Sequence, residues 1–288
     1  MNQVKESFIS LINQYKPKPD EIWYHYCSAE SFMAIIKNKT LRLCDILHMN
    51  DKTELLHGER LFGDILKDAT IDDLKKEAIR SIYYAIRERM VLLAMSFSAN
   101  DDQLSQWRGY ADDAKGFCIG FEAIHFNNLP VHLLQIEYDI EAQRRLILDY
   151  LCEIESRLPD DLAFDVNDAD SIASLQELFS SMKDPSFSEE REFRVLHVLG
   201  KNEDGALYDS FLDSSYKDYI KNEICFQIKN NVPVPYLDIY YFLEKSKMPI
   251  KQVVIGPKNH SEVSDIEHFL QTNGIKGVII SKSKSTYQ

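Results

Sequence analysis

The chain predicts an α+β fold, a mixed β-sheet elaborated by helical insertions. Three observations point there. Short runs rich in aromatic and aliphatic residues, Ile22–Tyr26, Val91–Ser98 and Phe117–Phe121, have the length and composition of strands. Segments at about 52–90 and 140–183 are longer and carry apolar residues at helical spacing. Across 288 residues, 44% are hydrophobic and 27% charged, the balance of an ordinary globular protein rather than a disordered one. No internal repeat, low-complexity run or linker interrupts the chain, so residues 1–288 read as a single domain.

Each element follows from a local pattern. Val4, Phe8, Leu11 and Ile12 space a helix within residues 1–15, which Pro17 and Pro19 end because proline cannot continue it. Ser28 is a good N-cap for a helix whose apolar face is Phe32, Ile35 and Ile36. Leu41–Cys44 is a short strand. Two helices fill 53–67 and 70–90, the second opening on Thr70-Ile71-Asp72-Asp73, which has the form of a capping box. A short helix over 102–110 and a turn at Lys115-Gly116 precede the next strand. Val131–Tyr138 is a strand, 140–157 and 170–182 are helices, Lys183–Glu189 is a loop and Arg191–Leu199 is a strand. Strands near 223–229, 236–241, 251–256 and 276–281 follow, with a helix at 261–272 capped by Ser261.

Composition excludes several classes. The 46 acidic residues outnumber the 33 basic ones, giving a net charge of −13. Such a field repels nucleic-acid backbones and anionic membranes unless a local basic patch intervenes. Five widely spaced cysteines, with no Cys-x-x-Cys, suit neither a disulfide framework nor a zinc ribbon and read as reduced core residues. The chain shows no leader pattern at its start and no apolar run of membrane-spanning length, so a cytoplasmic protein is expected. With only ten glycines there is neither a P-loop nor a dinucleotide fingerprint, so any nucleotide must bind by another geometry.

The most informative segment is Phe187-Ser188-Glu189-Glu190-Arg191-Glu192-Phe193-Arg194. Strand alternation puts Glu190, Glu192 and Arg194 on one face. Paired carboxylates repel, which raises one pKa and leaves a proton donor beside an acceptor, an arrangement suited to chemistry at a sugar carbon. The same pattern also describes a strand decorated with ordinary ion pairs. His25, within Trp23-Tyr24-His25-Tyr26, is either a hydrogen-bonding ligand residue or a satisfied core histidine. Ser96 and Ser98 flank Phe97, and their small hydroxyls would let a flat ligand lie close to the sheet. Trp107 and Tyr110 stand three apart on a helix, as a stacking pair or simply as core. Asp51, Glu54 and His57 are badly spaced to share one ion, and acid at a helix N-terminus is the simpler account, so no metal is predicted.

Taken in order, these segments resemble a bacterial family of unknown function, DUF2971. The resemblance runs through Tyr24-His25-Tyr26, Asn50-Asp51-x-x-Glu54, Ser96-Phe97-Ser98, Trp107-x-x-Tyr110-Ala111, Lys115-Gly116-Phe117, Lys183, Glu190-x-Glu192-x-Arg194 and Val254-Ile255-Gly256, with Phe187 where tryptophan is expected. More loosely, the chain resembles ADP-ribosyltransferases, which carry His or Arg on a first strand, Ser or Tyr on a middle strand and a catalytic Glu on a later one. Here the three are His25, Ser96-x-Ser98 and Glu190-x-Glu192; histidine in first place more often accompanies tyrosine in the middle. That resemblance implies a split sheet that binds NAD as substrate without a glycine fingerprint. It implies Glu192 on the ribose 2′-hydroxyl, Glu190 orienting an acceptor and His25 holding the adenosine ribose or the nicotinamide amide. Ser96, Ser98, Trp107 and Tyr110 would shape the pocket, with Arg194 or Arg108 at the pyrophosphate; Asn50, Asp51 and Lys183 complete the expected site. The implied protein is a toxin or phage-defence effector with a defence-operon or antitoxin partner, its acceptor open among protein, nucleic acid, small molecule and water. Two other classes compete: a metal-dependent nuclease using the acids near 51–54 and 190–192, and a non-enzymatic sensor or binding module of a defence system.

Overall fold

A computed structural model describes residues 15–49, 54–158, 166–209, 217–221, 223–243 and 247–287. The helix expected within residues 1–15, and Asn50 and Asp51, lie outside the described residues. In chain order, β1 (Ile22–Cys27), α1 (Ala29–Asn38) and β2 (Thr40–Asp45) open the fold, followed by α2 (Glu54–Asp68) and α3 (Asp73–Arg87). Next come β3 (Met90–Ser98), α4 (Leu104–Tyr110), β4 (Phe117–Glu122), β5 (His132–Gln135), α5 (Ile140–Arg157) and α6 (Val166–Ser180). The remainder is β6 (Glu192–Lys201), β7 (Leu207–Asp209), β8 (Cys225–Lys229), β9 (Val232–Tyr240), β10 (Ile250–Ile255), α7 (Val263–Thr272) and β11 (Ile279–Lys282).

Among the described residues all eleven strands join one mixed sheet, antiparallel except for the β10–β11 pair, so the fold is α+β. Helices cover both faces. On one, α1 and α7 press Phe32, Ile36, Ile266 and Leu270 onto Trp23, Leu43, Phe121 and Val253. On the other, α2, α3, α5 and α6 bring Phe62, Tyr83, Leu151 and Phe179 onto Leu92, Ala94, Leu196 and Val198. β6 is accordingly buried from Glu192 to Gly200.

The pairing of β3 decides where a cleft forms. β6 occupies one whole edge of β3, from Met90↔Gly200 to Ser98↔Glu192. β1 and β2 must therefore share the opposite edge. β1 meets it at Tyr24↔Ser98, whereas β2 meets it at Cys44↔Ala94 and Asp45↔Leu93. Beyond these points they diverge: β1 continues the sheet through β4, β10 and β11, and β2 continues it through β9 and β8. Residues 95–97 of β3 face the fork between the two banks.

Several boundaries differ from the sequence reading. Asp72, not Thr70, caps α3, its carboxylate accepting from the amides of Leu74 and Lys75. Glu262, not Ser261, caps α7, in a reciprocal capping box with Asp265. The strand expected over Val131–Tyr138 shortens to His132–Gln135, because beyond it only single contacts remain, such as Glu137 against Met182. β7 is an addition. The change with most consequence is at Arg191, whose φ of 45° lies in the left-handed region and ends a 3₁₀ turn at Pro185–Glu190. Glu190 is thus not a strand residue, and alternation applies only to Glu192 and Arg194.

Candidate functional site

The fork between β1 and β2 is lined by His25, Tyr24, Arg42, Ser96, Gln106, Tyr110, Glu190, Glu192 and Lys229, with Met95 and Phe97 beneath. The space is about 210 Å³. That is less than the ~300–1,000 Å³ of sites that enclose a whole drug-sized ligand; it suits one end of a longer molecule.

Two buried cations organise its acidic wall. Arg194, fully buried, clasps Glu192 through Nε to Oε1 at 2.6 Å and through a terminal nitrogen to Oε2 at 3.0 Å. Lys183, equally buried, donates to Glu190 Oε2 at 2.6 Å and to Glu192 Oε2 at 3.2 Å. Tyr110 donates to Glu190 Oε1 at 3.4 Å. Burial alone would push the Glu192 carboxyl up, but the charges of Arg194 and Lys183 and hydrogen bonds from Arg194 and Ser96 hold it down to about 2. The expectation that two like charges raise one pKa is therefore corrected at Glu192: a cation stands between the carboxylates. Arg194, Lys183 and Ser96 also use up most of that carboxylate's accepting capacity. Glu190 is the more open of the two, at 12% side-chain exposure against 6%.

His25 contributes a defined tautomer. Its Nδ1 lies 3.0 Å from the Ser96 carbonyl oxygen. A carbonyl only accepts, so Nδ1 carries the proton and Nε2 keeps its lone pair. Burial lowers the His25 pKa to about 4 against the opposing pull of that hydrogen bond, so the ring is neutral at pH 7. Tyr24, opposite Ser98, donates to Gln252 Oε1 at 3.2 Å, and Gln252 in turn donates to Asp101 at 3.0 Å.

Of the residues singled out by sequence, His25, Ser96, Tyr110, Glu190 and Glu192 meet in the fork. Lys183 and Arg194 stand behind them. Ser98 does not line the cleft; its hydroxyl donates to the Glu190 carbonyl at 2.8 Å and accepts from the Asn100 amide, pinning the turn that presents Glu190. Trp107 is fully buried under α4, its indole donating to Asp102 at 2.7 Å and its ring edge-on to Tyr26. Arg108 lies by Tyr287, 5.7 Å from the ring centroid. His57 pairs with Gln143 at 2.8 Å, and among the described residues no group of three His, Cys, Asp or Glu side chains could hold a metal. Tyr24, Arg42, Gln106 and Lys229 were missed. Tyr24 and Gln106 lie in or beside motifs that drew attention to other residues, Arg42 and Lys229 come from segments with no motif, and only the pairing of distant strands brings the four together.

Residues 106–195 match the profile of a family described as protein of unknown function, DUF2971. Over this stretch the chain is similar to proteins of that family. The matched segment contains Gln106, Tyr110, Lys183, Glu190, Glu192 and Arg194, the whole acidic wall of the fork, while His25, Arg42 and Lys229 fall outside it. No curated protein and no solved structure matches the chain. Among the described residues no helix is long and apolar enough to cross a membrane.

Proposed function

We propose that the fork receives the nicotinamide–ribose end of NAD, and that the protein is an NAD-consuming enzyme of the ADP-ribosyltransferase type. The observation that carries this reading is one row across three adjacent strands. Tyr24 of β1 pairs with Ser98 of β3, and Ser98 pairs with Glu192 of β6. The histidine, Ser-x-Ser and Glu-x-Glu segments, more than 160 residues apart at the extremes, thus reach one end of one cleft in the order that the resemblance requires.

The chemistry follows from the charges. As the bond from nicotinamide nitrogen to ribose C1′ breaks, its electron pair leaves with nicotinamide and positive charge grows on the sugar. Glu190 can accept a hydrogen bond from a ribose hydroxyl and oppose that charge. Glu192, held ionised by Arg194 and Lys183, adds a fixed negative charge behind it that needs no reorganisation during the reaction. Neutral His25 offers Nε2 as an acceptor for a ribose hydroxyl or the nicotinamide amide. A nucleophile then takes C1′ and releases its proton. Such an enzyme, acting without restraint inside a cell, drains NAD, which is the behaviour of a toxin or defence effector and calls for a neutralising partner.

The test is nicotinamide release from NAD, followed by chromatography. The wild type should release it, and Glu190→Gln, checked for folding by circular dichroism, should release it at least ~100-fold more slowly. No release by the wild type, even with cell lysate supplied as acceptor, would overturn the reading.

A further inference from the structure

The two banks of the fork differ in charge. On the α4 and β6 side the charges cancel, Glu190 and Glu192 against Lys183 and Arg194. On the β2 and β8 side, Arg42 and Lys229 line the cleft. The Arg42 guanidinium is fixed: Nε and one terminal nitrogen donate to Asp238 at 2.9 and 3.1 Å, and the other donates to Gln227 at 3.2 Å. It also lies 3.8 Å from the centroid of the Tyr236 ring. These contacts match its charge with that of Asp238 and leave about two N–H donors unspent. The side chain of Lys229, the last residue of β8, makes no hydrogen bond or ion pair with any described residue. Both cations act on the thiol of Cys44, which lines the same bank. With His25 neutral, Lys229 is the uncompensated charge among the described residues of the cleft, in a chain whose net charge is −13.

An ammonium with no counter-ion among the described residues, beside an oriented guanidinium, is a receptor for an anionic group with several oxygens. We infer that the β2–β8 bank is a phosphate subsite, in which Lys229 and Arg42 hold the pyrophosphate of a nucleotide whose ribose hydroxyls face Glu190 and His25. The inference rests on the NAD reading for the sugar end and specifies where the phosphates go. It also replaces the two arginines that the sequence suggested for the pyrophosphate, since Arg194 is committed to Glu192 and Arg108 lies by Tyr287 rather than in the fork.

The experiment is isothermal titration of the full chain with ADP-ribose, inorganic pyrophosphate and nicotinamide riboside, for the wild type, Lys229→Ala and Lys229→Arg. The Lys229 side chain makes no hydrogen bond or ion pair with any described residue, so both variants should fold as the wild type does, which thermal melts check. ADP-ribose and pyrophosphate should bind the wild type, lose ~10-fold or more in affinity with Lys229→Ala, and recover to within ~3-fold with Lys229→Arg. Nicotinamide riboside, which has no phosphate, should not respond to either substitution. Failure of the wild type to bind both phosphate probes, or equal binding by Lys229→Ala, overturns the subsite. The two readings fail separately. Pyrophosphate binding that depends on Lys229, without nicotinamide release, supports the subsite and removes NAD cleavage. Nicotinamide release with a KM for NAD unchanged in Lys229→Ala removes the subsite and keeps the cleavage.

Discussion

Lys183 shows how much one buried side chain can decide. Its ammonium is 2% exposed and bridges two carboxylates at 2.6 and 3.2 Å, with the Phe187 ring centroid 4.9 Å away. Replacing it by methionine keeps the volume and removes the cation, leaving Glu190 and Glu192 to share Arg194. An uncompensated buried charge costs roughly 3–5 kcal/mol, so Lys183→Met should lose about that much in urea denaturation at pH 7. The sign with pH follows from Glu192. Its folded pKa is depressed from 4.5 to about 2, so the ion pairs stabilise fully above the unfolded value and progressively less as pH falls through that window. The difference between wild type and variant should accordingly hold from pH 7 to about 4.5 and narrow below it, towards pH 2. A loss below ~1 kcal/mol at pH 7, with no narrowing, would show that the cluster does not carry the charges assigned to it. The sequence made Glu190, Glu192, Arg194 and Lys183 visible as charged residues close together. Their pairing was not legible, because strand alternation was extended two residues too far, to Glu190, through an Arg191 that turns left-handed.

At the scale of elements, most of the fold was legible because apolar spacing and capping chemistry are local. Ser28 caps α1 as its sequence indicates, with Phe32, Ile35 and Ile36 as the buried face. The illegible part was the company each strand keeps: nothing in Leu41–Cys44 indicates that Arg42 will pair with Asp238, 196 residues away. Close backbone approach is a further constraint that only the structure exposes. β4 and β10 adjoin where Gly256 donates to the Gly116 carbonyl at 3.1 Å. A Cβ on Gly116 would stand 2.0 Å from the Cys27 carbonyl oxygen, and one on Gly256 would stand 2.4 Å from that of Ala114. Backbone atoms on both sides cannot yield as a flexible side chain would. Gly116→Ala or Gly256→Ala should each cost at least ~2 kcal/mol in chemical denaturation. Gly63, inside α2 with nothing within 4 Å of its would-be Cβ, is the comparison: Gly63→Ala should be neutral or stabilise by ~0.5–1 kcal/mol. Equal behaviour of the three would mean that these strand ends are not packed as described.

For the whole molecule, the fork makes β3 the place where two banks of one sheet diverge. β1, β4, β10 and β11 lie on one side and β2, β9 and β8 on the other. β1 is paired with β4 along its whole length but with β3 only at Tyr24, so its second edge beyond that point, at His25 and Tyr26, looks into the cleft. Unpaired edges exchange their amide hydrogens readily, and a ligand lying between them slows that exchange. The fork also has a rival in size: a cavity of about 770 Å³ between α1 and α7, floored by Phe32, Phe117 and Phe269 and rimmed by Lys115 and Lys258. Size favours that cavity; convergent polar groups favour the fork, where a fixed histidine tautomer, the carboxyl groups of Glu190 and Glu192 and the Lys229 ammonium meet. Hydrogen exchange separates the two. With ADP-ribose added, protection should rise in residues 24–27, 40–45 and 95–97, on the edges of the fork, and stay unchanged in 115–117 and 257–261. The opposite pattern would move the binding site to the apolar cavity and leave the buried Glu–Lys–Arg cluster as a stabilising network alone. Protection at both β1 and β2 carries the stronger meaning, because no ligand confined to one bank can slow exchange on the two together.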